Sequence, residues 1–301
     1  MRSVGPPANM HKEVKMQRRK LEELNLIDDF LFNKMISHPE FGEEFARDLI
    51  RIILGKEVGK LKVIPQKVYY GSDTDTHGAR LDVYLEETED DALENATIYD
   101  VEPESDSKVF SLKSIARRNR FYHSKIDSAS LKAGMDYEVL KDVVVIFIMT
   151  KDPLGANRML YTIERRCKEL PNWPYDDGAK TIFLYTKGTE GNPREELKEL
   201  LAYMENSCEE NVKNDMLKKV HQMMGHVKSN EEVSIEYMKI FEREKMIREE
   251  GQEEGRKEEA KQVARSLFEN GANYELVRAS ITILSDEELR TIYEEVMAVK
   301  Q

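Results

Sequence analysis

Residues 143–150 read VVVIFIMT, an unbroken apolar run rich in β-branched side chains. It is strand-length rather than helix-length and has no polar side, so it reads as a strand buried on both faces in the middle of a sheet. Such a strand must be covered above and below, which calls for helices flanking the sheet. The neighbouring sequence supplies them. Residues 26–36 and 40–54 repeat apolar positions at helical spacing, are split by Ser37, His38 and Pro39, and stop at Gly55. Residues 61–70 (LKVIPQKVYY) have strand composition, with Pro65 confining them to an edge or a late start. A helix is expected over 112–133, where Leu112, Ile115, Asn119, Tyr122 and Ile126 share a stripe and Gly134 caps the end. Residues 161–163 and 181–186 add strands. The expected fold class is α/β, a mixed sheet flanked by helices, followed by a C-terminal helical extension.

The domain organisation follows from changes in patterning. Residues 1–25 are a flexible or helical lead, and 26–188 hold the α/β core. A helical extension occupies 189–248, a charged EEG-repeat spacer 249–259, and a helical tail 260–301. The spacer (EEGQEEGRKEE) has no apolar position, so it is a solvated helix or a flexible link. In the tail, Asn270 and Gly271 end one helix, while Ser285 and Glu288 form a capping box for the last. No apolar run approaches the ~20 residues of a membrane span, and the start lacks the apolar centre of a secretory signal. Two cysteines, Cys167 and Cys208, give no disulfide framework and no metal-ligand spacing. A soluble cytoplasmic protein is expected.

Two alternating segments, RLDVYLEE and IYDVEPE, flank an acidic turn-like stretch and read as a β-hairpin. Alternation puts Arg80, Asp82 and Tyr84 on one face of the first strand. It puts Asp100, Glu102 and Glu104 on one face of the second. Carboxylates gathered on one face repel, a cost tolerated mainly where a divalent cation or a shared proton offsets it. This pattern reads as a metal site. The net charge of −12 argues against a general polyanion-binding surface, yet Lys108, Lys113, Arg117, Arg118, Arg120 and Lys125 follow the hairpin with no acid among them. That helix is the candidate for phosphate contact.

With RLDVY, YDVEPE, RRNRFYHSKID, LKAGMDY, VVVIFIMTKDPLG, TIFLYTKG, LFENGANYELV and LSDEEL in this order, the chain resembles the recombination-promoting nuclease (Rpn) or transposase family of the PD-(D/E)XK nuclease superfamily. The resemblance implies a restriction-endonuclease-like core and metal-dependent hydrolysis of DNA phosphodiesters, associated with recombination or transposition. Asp82 corresponds to the metal-binding aspartate and Glu102 to the glutamate of the E-x-K or E-x-Q element. Glu104 stands where the superfamily usually carries a lysine and many members of this family a glutamine. The implied metal ligands are Asp82, Glu102 and Glu104 around Mg²⁺ or Mn²⁺, with Lys113 or Arg117 taking the lysine's part. Lys113, Arg117, Arg118, Arg120 and Lys125 are then the DNA contacts. DNA is the implied partner, and the C-terminal helices are the expected contact if the chain self-associates. The alternative is a catalytically weak or inactive nuclease-like module that binds DNA or other partners through its helical tail.

Overall fold

A computed structural model describes residues 19–70, 77–87, 96–104 and 111–299. The lead up to residue 18, most of the acidic turn and Lys108 lie outside the described residues. The described strands are Leu61–Tyr69 (β1), Ala79–Glu87 (β2), Thr97–Glu104 (β3), Asp142–Met149 (β4), Leu160–Ile163 (β5) and Ala179–Tyr185 (β6). They form one six-stranded mixed sheet in the order β1-β2-β3-β4-β6-β5. The β1–β2–β3 meander and the β5–β6 pair are antiparallel, while β3–β4 and β4–β6 are parallel.

The apolar run at 143–150 lands where its composition requires. β4 lies between two parallel neighbours, and Val145, Ile146, Phe147 and Ile148 are fully buried. Pro65 puts β1 on the edge, where a missing N–H costs no ladder bond. A parallel β3–β4 pair cannot be joined by a hairpin, and the crossover is the helix Leu112–Ser130 (α3). Its Ile115, Tyr122 and Ile126 pack on Ile98, Val145, Phe147 and Phe183. Residues of the opposite parity, Val101, Ile146 and Ile148, are as deeply buried, so the sheet is covered on both faces. Helices Asp29–Ile36 (α1) and Gly42–Leu54 (α2) precede the sheet, α1 packing on β1, β2 and β3. Gly55 ends α2 in the left-handed conformation at φ 73°, its N–H donating to Arg51 O at 2.8 Å.

α3 stops three residues short of the expected end at 133. Leu131 is extended, and the Ser130 hydroxyl donates back to Ile126 O at 2.7 Å, competing for the last-turn carbonyls. Gly134, at φ 84°, serves the following turn and not the helix cap.

By its internal contacts the chain divides into two compact units between Ser234 and Ile235. Beyond the sheet, the first holds the helices Glu195–Glu205 (α4) and Asp215–Ser229 (α5). The helix Glu231–Glu269 (α6) runs without a break through the charged repeat, so those residues form a solvated helix. The second unit continues with Tyr274–Ser280 (α7) and Asp286–Val299 (α8) around its own apolar core of Ala264, Phe268, Val277, Leu289 and Ile292. Its caps are those read in the sequence. Gly271 is left-handed at φ 84°, and Glu288 N–H donates to Ser285 Oγ at 3.2 Å while Ser285 N–H donates to Glu288 Oε2 at 2.9 Å. Among the described residues, no helix is long and apolar enough to cross a membrane.

Candidate functional site

The hairpin register sets the site. Val83 pairs with Val101 and Tyr84 with Asp100, so Asp82 falls beside Glu102 across the β2–β3 ladder. The Asp82 N–H donates to Glu102 Oε1 at 2.9 Å, which turns the Glu102 carboxylate toward β2 at the point where main-chain pairing ends. On β3, residues 98, 100, 102 and 104 share the face covered by α3, alternating with Tyr99, Val101 and Pro103. The three acids there are buried: Asp100 at 0 %, Glu102 at 2 % and Glu104 at 8 % exposure.

Burial at this density penalises the charged forms. Asp100 is held well above the usual carboxylate range by desolvation and by the adjacent Glu102, and neither of its oxygens has a hydrogen-bond donor. Two carboxyl groups in contact bond each other only when one carries a proton, and that is the state this pair favours without a cation. Desolvation, then the Asp82 charge, pushes Glu102 up to about 8, against the opposing pull of the Asp82 N–H and Arg118. Around them, burial raises the Tyr122 and Tyr84 hydroxyls, and Tyr69 rises to about 12.

Glu104 keeps its place in β3, opposite Met149, and its side chain forms an ion pair with Arg118 of α3. Pro103, just before it, lies past the end of the β2 pairing, where a missing N–H is least costly. The Arg118 guanidinium also lies over the Phe147 ring at 5.2 Å and the Tyr122 ring at 5.8 Å. Burial opposes its charge, and Glu104 more than offsets that, leaving it above its ordinary range.

The other basic residues of α3 stand elsewhere. Lys113, Arg117 and Arg120 are exposed, while Arg118 is ion-paired with Glu104. Lys125 is half-buried, its Nζ 3.5 Å from Tyr70 O and 5.4 Å from the Phe121 ring centre. His123 points into the core: its Nε2 is 3.1 Å from Thr181 Oγ1, which donates to Asn119 Oδ1 at 3.0 Å. Desolvation lowers it to about 4, so it is a neutral core histidine.

The patterning alone did not give the Arg118–Glu104 pair. A signal was present, since Arg118 sits three residues after Ile115 and four before Tyr122 and so interrupts the apolar stripe of α3. A second unanticipated feature lies on β1. Gln66 takes a φ of 54° at the register position facing Asp82, between the Pro65–Val83 and Lys67–Leu81 pairs. Its Nε2 donates to Asn33 Oδ1 at 3.3 Å, and its carbonyl accepts from Arg80. A non-glycine residue held at positive φ by its surroundings is a feature that clusters at functional sites.

Among the described residues, no group of three or more His, Cys, Asp or Glu is arranged to hold a metal ion. The residues that could hold a cation here are Asp82 and Glu102, with Asp100 on the same face of β3 as Glu102 and Glu104 engaged by Arg118. This fits Mg²⁺, which is commonly bound through one or two carboxylates while keeping waters and substrate oxygens. No protein-family model matches the chain, and neither a curated protein nor a solved structure matches it.

Proposed function

We propose that this chain is a Mg²⁺- or Mn²⁺-dependent DNA endonuclease with a restriction-endonuclease-like PD-(D/E)XK core, associated with recombination or transposition. The observation that carries the reading is the Asp82–Glu102 pair across the β2–β3 ladder, inside a buried acidic group whose Asp100 and Glu102 carboxyls are pushed toward their protonated forms. Buried carboxylates cost several kcal/mol unless a cation or proton offsets them, and a group kept at that cost is a functional-site candidate. Asp82 and Glu102 hold the cation, and Glu102 gives up its proton to do so. A cation bound there supplies an acidified water and neutralises charge developing on the phosphoryl group. Lys113, Arg117 and Arg120, exposed along α3, contact the DNA backbone on either side, with Lys125 beside them. The two cysteines are unpaired, which fits a reducing cytoplasm.

The second reading is a nuclease-like module that binds DNA without cutting it, with residues 235–301 as its interaction unit. It is favoured by the absence, among the described residues, of a third convergent ligand and by the compact core of that unit. Nicking of a supercoiled plasmid in Mg²⁺ or Mn²⁺ separates the two. The expected outcome is cutting by the parent and none by Asp82→Ala. If the parent cuts with neither metal, the module reading stands.

A further inference from the structure

Glu104 is a buried carboxylate on the same face of β3 as Glu102. A lone carboxylate there would repel the substrate. The structure offers another source of charge on the opposite layer. Arg118 enters the acidic group from α3, pairs with Glu104, and rests over Phe147 and Tyr122. Its side chain is 23 % exposed and that of Glu104 only 8 %, and the Arg118 Nε is buried, so the pair is rooted in the core with part of the arginine open to solvent. Glu104 lies on the same face of β3 as Glu102, so the guanidinium paired with it stands over the strand that carries Glu102.

We propose that Arg118 is the substrate-contacting cation of this site, and that Glu104 is a positioning residue that aims it and not a cation ligand. The inference rests on the nuclease reading above. A guanidinium is planar, carries five N–H donors and can serve a carboxylate and a phosphate together. Stacked on Phe147 and tied to Glu104, it loses little freedom when a phosphodiester arrives, so its charge is preorganised toward the phosphoryl oxygens. The negative charge of Glu104 is then spent on Arg118 and not on repelling DNA. Lys113 and Arg117, exposed on α3, are left to the flanking phosphates.

The test is single-turnover plasmid or oligonucleotide cleavage in Mn²⁺, with Mn²⁺ affinity measured by calorimetry on the same full-length proteins. Arg118→Ala is expected to cut ~10²–10³-fold slower than the parent, the size of effect seen when one electrostatic donor is lost. Its Mn²⁺ affinity should stay within about threefold. Arg118→Lys should recover part of the rate. Millimolar guanidinium ion should raise cutting by Arg118→Ala but not by the parent, a rescue that a merely structural arginine would not show. Glu104→Gln should bind Mn²⁺ as the parent does and cut more slowly through kcat.

Glu104→Lys fixes the sign. If Glu104 occupies a lysine's vacant place, that variant cuts faster; if Glu104 aims Arg118, two cations collide and it cuts slower. Faster cutting by Glu104→Lys, parental cutting by Arg118→Ala, or loss of Mn²⁺ binding in Glu104→Gln would each overturn the assignment. A parent that cuts while Asp82→Ala does not keeps the nuclease reading intact in all three cases. A parent that never cuts removes that reading and the Arg118 assignment together.

Discussion

The β2–β3 end of the sheet and the helical unit at residues 235–301 handle charge in opposite ways. In the helical unit the core is apolar, built from Ala264, Phe268, Val277 and Leu289, and ion pairs stay at the surface. Arg265 and Glu295 pair at 2.5 Å with about half of each side chain exposed, and Arg278 and Asp286 at 3.0 Å. Pairs of that kind contribute little, because water solvates the separated charges nearly as well. In the sheet the acids are inside. Asp100 has no donor, Glu102 has the N–H of Asp82, and Glu104 needs a cation from another layer. A folding core gains little from such a group, so the contrast separates an apolar core from a region where buried acids cost stability, which makes that region the functional-site candidate.

The largest effect expected on stability lies in the helical unit. Phe268 is fully buried against Tyr274 and Tyr293, with ring centres 6.0 and 5.1 Å away. Phe268→Ala should cost ~3–5 kcal/mol in unfolding of that unit, followed by chemical denaturation of the full chain. Arg265→Ala, on the same unit's surface, should cost less than ~1 kcal/mol. Comparable losses in the two variants would break the contrast.

The next effect is smaller and depends on pH. The Glu102 carboxyl is raised from 4.5 to about 8 by folding. Its contribution is therefore fully present below pH 4.5, its ordinary value, and is lost as pH rises through about 8. Glu102→Gln cannot ionise. Without divalent cations its stability advantage over the parent should grow by on the order of 3 kcal/mol between about pH 5.5 and pH 8.5, and vanish below about pH 4.5. His123, lowered from 6.5 to about 4, acts with the opposite sign: its contribution is present above 6.5 and lost as pH falls through 4. Melting curves that stay parallel across this range for parent and Glu102→Gln would mean that Glu102 is not buried as a proton-holding acid.

Much of the fold was legible because it rests on local signals. The run at 143–150 read as a central strand, Pro65 limited its segment to an edge or a late start, and the Ser285–Glu288 and Gly271 caps are satisfied within a few residues. The neighbourhood of Asp82 and Glu102 followed from alternation and one hairpin. Other features were not local. The repeat at 249–259 has no apolar face to report its conformation, and its helix draws on pairs such as Lys257–Glu253 at 3.2 Å and on continuity with the residues around it. Reading 112–133 as one helix missed the competing hydroxyl of Ser130. The Arg118–Glu104 pair joins two layers through a crossover, so neither residue's own segment announces the other. The full burial of Asp100 can be read only once every layer around it is in place.

If Asp82 and Glu102 hold a divalent cation, Mn²⁺ titration by calorimetry will register it. The parent should bind one Mn²⁺ and release a proton from Glu102 below about pH 8, seen as a heat that varies with buffer ionisation. Asp82→Ala and Glu102→Gln should each lose the binding, while Glu104→Gln should keep it. Mn²⁺ bound by Asp82→Ala as tightly as by the parent would contradict the claim.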